Sequence, residues 1–352
     1  MRIQKLAALL PSYSVDGLLI TAPKDLFYLL GVNLSRGKLL ILKDAAHLIV
    51  DGRYFEYCKA NIGHASVWLD EEKPLNKLTE GLKSLGFDEE HESYKSFCQL
   101  QKEVAPTLLV PICKPLSALR IKKDPHEIEL IKAACQLTVD SFKQLSPLLK
   151  EGITEKEVAS LLEIYWKQHG ADGSAFAPII AFGPNTAYPH HESAAMKLKK
   201  NNPVLVDIGA LLNQYNSDMT RMIFFGAVDK KIEKILDVVR EAHEEALLAC
   251  SPGISTYELD AIARSVVEEE GFGAHFVHAL GHGVGLDIHE PPRLKKDPKI
   301  PNVILEEGMV ITIEPGIYLP GVGGVRLENT IVIRASGYEN LTKLPLDPVR
   351  IQ

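Results

Sequence analysis

Four acidic residues at the ends of β-type runs carry the chemistry of this sequence. Asp207 closes the apolar run Val204 to Val206, and Asp218 opens the return run after the turn residues Asn213 to Asn216. A hairpin there brings the two acids into one region. Farther on, Glu314 ends the run MVITIE, and Glu328 precedes TIVI beyond a glycine-rich loop at 321–324. Taken singly, each acid reads as a solvated group at a strand end. The pairing in both places changes that reading. Asp207, Glu314 and Glu328 lie inside apolar runs, where an unpaired carboxylate is costly. Arg221 and Arg326 offset part of this charge, and two divalent cations offset it better. Four carboxylates and one neutral imidazole balance two M2+ ions in formal charge. Oxygen-rich donors with one histidine favour relatively hard ions such as Mn2+ or Co2+. Two ions bridged by carboxylates lower the pKa of a shared water and polarise a carbonyl, which is hydrolytic chemistry.

The histidines concentrate in HALGHGVGLDIHE, residues 278–290. His278 and His282 are four apart, as on a zinc-binding helix. Glycines flank His282 on both sides, which argues against a helix. From spacing alone the stretch is a helical zinc site, a loop, or one corner of a site assembled from distant segments. Asp287 and Glu290 receive no role.

The elements that must position these residues come in two groups. The first third alternates β-type runs (GLLIT, GKLLIL, AHLIV, ASVWL, TLLVPI) with amphipathic segments such as Arg53 to Ala60 and Tyr94 to Val104. This pattern predicts a small α/β domain. Prolines at 111, 115 and 125 around a basic run put a boundary near residue 118. Next, Asp124, Pro125 and Glu127 make a helix start, with Gly152 as its expected stop. Then a motif repeats. Gly152 and Ile153 precede Thr154 with Glu157 three residues on, and Gly253 and Ile254 precede Ser255 with Glu258. Each is a capping box, and each helix closes near a glycine, Gly170 or Gly271. Residues 119–352 therefore read as two similar halves.

Bulk properties exclude several classes. The 352 residues are 46% hydrophobic and 24% charged, as in a globular protein, with a net charge of -7. That balance argues against nucleic acid or an anionic membrane as the main partner. The apolar run before Pro11 is too short for a secretory core, and no apolar stretch is long enough to span a bilayer. Five scattered cysteines without C-x-x-C fit reduced thiols, so the expected location is the cytoplasm.

With these residues in view, the chain resembles the pita-bread metallopeptidases, in the branch of aminopeptidase P and prolidase. The metal pattern carries the resemblance: Asp207 in VDIGA, Asp218 in SDMTR, His282 in GHGVG, Glu314 in IEPGIY and Glu328 in RLEN. DGRY at 51–54, LRIKKDPHEI at 119–128 and AFGPNTAYPH at 181–190 extend it over nearly the whole chain. The resemblance implies an RNase-H-like (creatinase-type) α/β domain at 1–118, then a pseudo-twofold pita-bread catalytic domain at 119–352, an α/β (α+β) fold. It implies that Asp207 and Asp218 bind one ion and His282 and Glu314 the other, with Asp218 and Glu328 bridging. Mn2+ is the expected metal, with Co2+ and Zn2+ as alternatives. The implied reaction releases an N-terminal residue that precedes proline. The bond is a tertiary amide, so the leaving nitrogen must be protonated, and Glu314 is the implied proton shuttle. His190 and His289 match positions beside the reacting carbonyl. His278 matches one on the proline side, and Arg326 one that orients a neighbouring acid. Tyr318 is a candidate lining residue. His126, His191 and His275 read as surface or core histidines. The small glycines at 281, 283 and 285 are expected to leave room for substrate backbone.

Within that branch the sequence slightly favours a general Xaa-Pro aminopeptidase over a strict Xaa-Pro dipeptidase. Arg293 pulls the other way, because it matches a position that reaches the free carboxylate of a dipeptide. Remoter alternatives are a metal-free binding module, a creatinase-like amidinohydrolase and a methionine aminopeptidase. The full ligand set argues against the first two, and the N-terminal domain against the third. The expected partners are short proline-containing peptides and, as is common in the family, a second copy in a homodimer.

Overall fold

The computed structural model describes residues 2–352, and the chain divides into two compact units, residues 1–120 and 121–352. The first holds a six-stranded sheet in the order Ser66–Leu69, Ala46–Val50, Lys38–Leu42, Gly17–Ile20, Ser84–Asp88, Leu108–Ile112. Lys38–Leu42 runs antiparallel to both neighbours, and the remaining pairs are parallel. Parallel strands are covered on both faces and read as continuous apolar runs, which is why GLLI is buried at all four positions. Leu19, Leu40, Ile49, Leu85 and Phe87 form this core with Leu100 of the Tyr94–Glu103 helix. The strand Ser84–Asp88 is absent from the runs read in the sequence. It is short and broken by Gly86, yet it lies between Gly17–Ile20 and Leu108–Ile112.

In the second unit both capping boxes form, as does a third at Asp124. Each contributes about 1 kcal/mol. The helix that starts at Asp124 ends at Leu145, before Gly152, because Pro147 lacks the N–H that would continue it. The sequence echo is repeated bond by bond. Gly152 N–H donates to Leu198 O and Leu198 N–H to Ile153 O; Gly253 and Leu305 exchange the same bonds through Ile254. Glu155 N–H donates to Met196 O, and Thr256 N–H to Val303 O.

Each half lays two helices on a curved sheet. Pro125–Leu145 and Glu155–Gln168 cover the sheet that holds Ile179–Phe182, Asn202–Ile208, Met219–Phe225 and Val349–Ile351. Lys230–Ala249 and Thr256–Glu269 cover Glu290–Leu294, Gly281–Gly283, Val310–Ile313, Asn329–Ile333 and Tyr338–Asn340. This is the mixed α/β, pseudo-twofold architecture expected. Among the described residues no helix is long and apolar enough to cross a membrane.

Candidate metal centre

Two antiparallel pairs present the acids. Asn202–Ile208 pairs with Met219–Phe225, so that Asp207 faces Thr220 one residue beyond Met219. The connecting turn uses Asn213 and Gln214 at φ 50 and 69. Val310–Ile313 pairs with Asn329–Ile333, with Glu314 just beyond one strand and Glu328 just before the other. The halves brace each other here. Thr220 donates its hydroxyl to Glu328 at 2.7 Å, and Thr330 donates its hydroxyl to the carbonyl of Asp218 at 2.8 Å.

His282 is on the strand Gly281–Gly283, so the four-residue spacing from His278 is not helical. Its flanking glycines answer to close strand contact. A Cβ on Gly281 would lie 2.1 Å from Thr312 O, and one on Gly283 would lie 2.3 Å from Pro291 O. A Cβ on Gly285 would meet the Glu290 carboxylate at 2.5 Å. Neighbouring backbone and Glu290 thus replace substrate room as the reason for these glycines. Glu290 itself is in a buried ion pair with Lys123 at 2.7 Å, which ties the segment after His289 to the start of this unit.

Asp218, His282 and Glu328 each offer a ligand atom within 4.8 Å of the others. His282 Nε2 is 3.6 Å from Asp218 and 3.3 Å from Glu314. Its Nδ1 lies 3.0 Å from Gly283 O, so the proton belongs on Nδ1 and the Nε2 lone pair faces the acids. Asp207 accepts from Arg326 through Oδ2, while its buried Oδ1 has no hydrogen-bond partner among the described residues. Burial pushes Asp218 well above the carboxylate range, and Glu328, Asp207 and Glu314 add to it. Glu328 shifts the same way, by burial first and then Glu314 and Asp207. Glu314 is pushed up to about 8 by burial, against Arg326 and with Asp207 adding. Carboxylates, an imidazole lone pair and an orphaned oxygen converge without enough donors to satisfy them. This set fits divalent cations.

Of the two arginines, only Arg326 meets the acids. Arg221 is fully buried, but its guanidinium donates to the carbonyls of Thr220, Glu328, Leu344 and Pro345. It fastens the C-terminal segment and neutralises no carboxylate directly, a correction to its expected role. Arg326 also donates to Tyr318 Oη at 2.6 Å. That hydroxyl lies 2.8 Å from His278 Nε2, while His278 Nδ1 faces Ala279 O at 2.8 Å. Tyr318 therefore bridges His278 to the arginine. Burial pushes His278 down to about 3, with Arg326 adding.

His289 is exposed and meets the ring of His282 edge-on, centroids 4.3 Å apart. His190 is exposed too, and is a near neighbour of both His278 and His289. Arg293 is exposed on Glu290–Leu294, directly across from His282. Paired residues on antiparallel strands share a face.

The model of metallopeptidase family M24 matches residues 129–335, and that of the creatinase/prolidase N-terminal domain matches residues 2–122. The chain belongs to the M24 metallopeptidases. As a member of that family it is a metallo-exopeptidase with the pita-bread fold. It is 36% identical over 346 residues to the Xaa-Pro dipeptidase of Pyrococcus horikoshii, covering 97% of each chain. An Xaa-Pro dipeptidase from Bacillus anthracis superposes with a TM-score of 0.95 at 31% identity, covering 99% of both chains. An X-Pro aminopeptidase from Thermotoga maritima superposes at 0.89 with 31% identity, covering 96% of this chain and 98% of that one.

Proposed function

We propose that this M24 enzyme is an Xaa-Pro dipeptidase that uses two divalent ions, Mn2+ first among them. The position of Arg293 opposite His282 carries the reading. A guanidinium on that face is suited to grip the free carboxylate of a dipeptide, one proline ring away from the scissile bond. The relatives named Xaa-Pro dipeptidase support this reading over the aminopeptidase suggested by the sequence.

Asp207 and Asp218 would hold one ion and His282 and Glu314 the other, with Asp218 and Glu328 shared. When bound, the ions supply Lewis acidity to the scissile carbonyl and to water. The protein's own groups do the rest. Arg326 fixes Asp207 through Oδ2 and leaves Oδ1 for a ligand role. Glu314, at the end of its strand beside His282, is the group proposed to pass a proton to the proline nitrogen. His190 and His289, on the open side, can donate to the oxyanion. His278 is neutral and tied to Tyr318, and so offers its ring as an apolar wall for the proline.

The test is a substrate series with added Mn2+. An Xaa-Pro dipeptide should be cleaved at least about 100-fold faster, by kcat/KM, than Xaa-Pro-Yaa-Zaa, and Arg293→Ala should raise KM for the dipeptide alone. Equal rates on both substrates would return the assignment to an aminopeptidase.

A further inference from the structure

The helix Glu155–Gln168 begins with a carboxylate that is fully buried and gathers one loop. Glu155 Oε1 accepts from Phe182 N–H at 2.8 Å and from the Asn185 carboxamide at 2.9 Å. Its Oε2 accepts from His191 Nε2 at 2.8 Å and from Ala194 N–H at 2.9 Å. All four donors lie on the segment 182–194, which carries His190. The far side of this segment is held by the other half. Thr186 Oγ1 accepts from Gly324 N–H at 2.8 Å and donates to Gly183 O at 2.6 Å. A Cβ on Gly324 would lie 2.3 Å from Thr186 O, so only glycine permits this approach. Between the two anchors, Pro189 O is 3.5 Å from Arg326 and His190 stands exposed.

The pseudo-symmetric position differs. Thr256 follows the cap Ser255 as Glu155 follows Thr154. Its hydroxyl accepts from Val303 N–H at 3.1 Å and faces Asn302 at 3.3 Å, and no histidine is involved. The repeated fold therefore needs no acid at this place. The half that presents His190 has one, together with a histidine donor directly beside His190. A buried carboxylate accepting several hydrogen bonds is stiff, because loss of any donor exposes an unmet acceptor in low dielectric.

We propose that Glu155 and His191 are positioning residues that hold the 182–194 loop so that His190 reaches the substrate; this rests on the reading of His190 given above. His191 acts through its neighbour and touches neither substrate nor metal. The experiment compares His190→Ala, His191→Ala, His191→Gln and the His190→Ala/His191→Ala double variant in Mn2+-loaded full-length protein. Readouts are kcat and KM on an Xaa-Pro dipeptide, metal content by elemental analysis, and thermal midpoint. His191→Ala should lower kcat by about 10-fold or more with metal content unchanged. His191→Gln, which keeps an N–H donor for Glu155, should recover part of that loss. The double variant should be no slower than His190→Ala, because the effect of His191 passes through His190. Fully additive losses, or a kcat loss that simply follows loss of metal or folding, would overturn the proposal. An unchanged His191→Ala beside an impaired His190→Ala overturns it alone. An unchanged His190→Ala overturns the reading of His190 and this proposal with it.

Discussion

At the scale of single residues, one hydrogen bond determines which atom of His282 can bind metal. Gly283 O claims the Nδ1 proton and turns the Nε2 lone pair toward Asp218 and Glu314. The acids in turn are mutually repulsive. Burial and their own charges lift Asp218 and Glu328, so in metal-free protein they resist ionising together. Removing either one should therefore abolish metal binding and catalysis as a unit. Asp218→Ala and Glu328→Ala are each expected to lose bound metal by elemental analysis and to lose at least about 100-fold in rate. Full metal occupancy in either variant would contradict the ligand assignment. Excess Mn2+ should not restore the rate to the unsubstituted level.

The helices bury polar groups of their own, some satisfied and one not. On the Pro125–Leu145 helix, buried Thr138 is bonded to the Ser217 hydroxyl at 2.7 Å and accepts from Ala210 N–H at 3.0 Å. On the Lys230–Ala249 helix, His243 is buried and neither ring nitrogen has a hydrogen-bond partner among the described residues. Burial pushes it from 6.5 down to about 3, with Arg221 adding. The sign follows from linkage. Below pH 6.5 the unfolded chain binds a proton that the folded helix refuses, so stability is present above that pH and falls as pH drops toward 3. By pH 5 the loss amounts to about 2 kcal/mol. His243→Leu should flatten this part of the stability profile in urea titrations run from pH 7 to pH 5. An unchanged slope would mean that the unfolded chain does not protonate differently at this position.

For the molecule as a whole, the centre joins two halves that are otherwise near-copies. Asp207 and Asp218 come from the first half, and His282, Glu314 and Glu328 from the second. Ligand binding of that kind stabilises both halves together, by about 4 kcal/mol when the metal is about 1,000-fold above its Kd. Scanning calorimetry should show the unfolding transition move up with added Mn2+ and down with EDTA. A midpoint indifferent to both would argue that the halves do not share a metal.

Much of this arrangement was legible along the chain. Two capping boxes, the helix start at Asp124, the turn at Asn213 and Gln214 and the apolar runs around Asp207 and Glu314 depend on neighbours a few residues apart, and local rules reach that far. The four acids could be read for the same reason, since each sits at the end of a recognisable apolar run, whereas His282 is in the middle of a short strand between glycines that local rules left open. What local rules could not reach was direction across the sheet. Register put Arg293 opposite His282, and packing sent Arg221 to the carbonyls of the C-terminal segment while Arg326 met Asp207. Glu155 is locally one more acid in a helix's first turn, and His191 reads as a surface or core histidine. Only the fold, by burying the carboxylate beneath a loop about thirty residues away in sequence, made them partners. Sequence determined which groups were available and in which elements. Tertiary structure decided which of them face each other, because burial and strand register act between segments with no local relation.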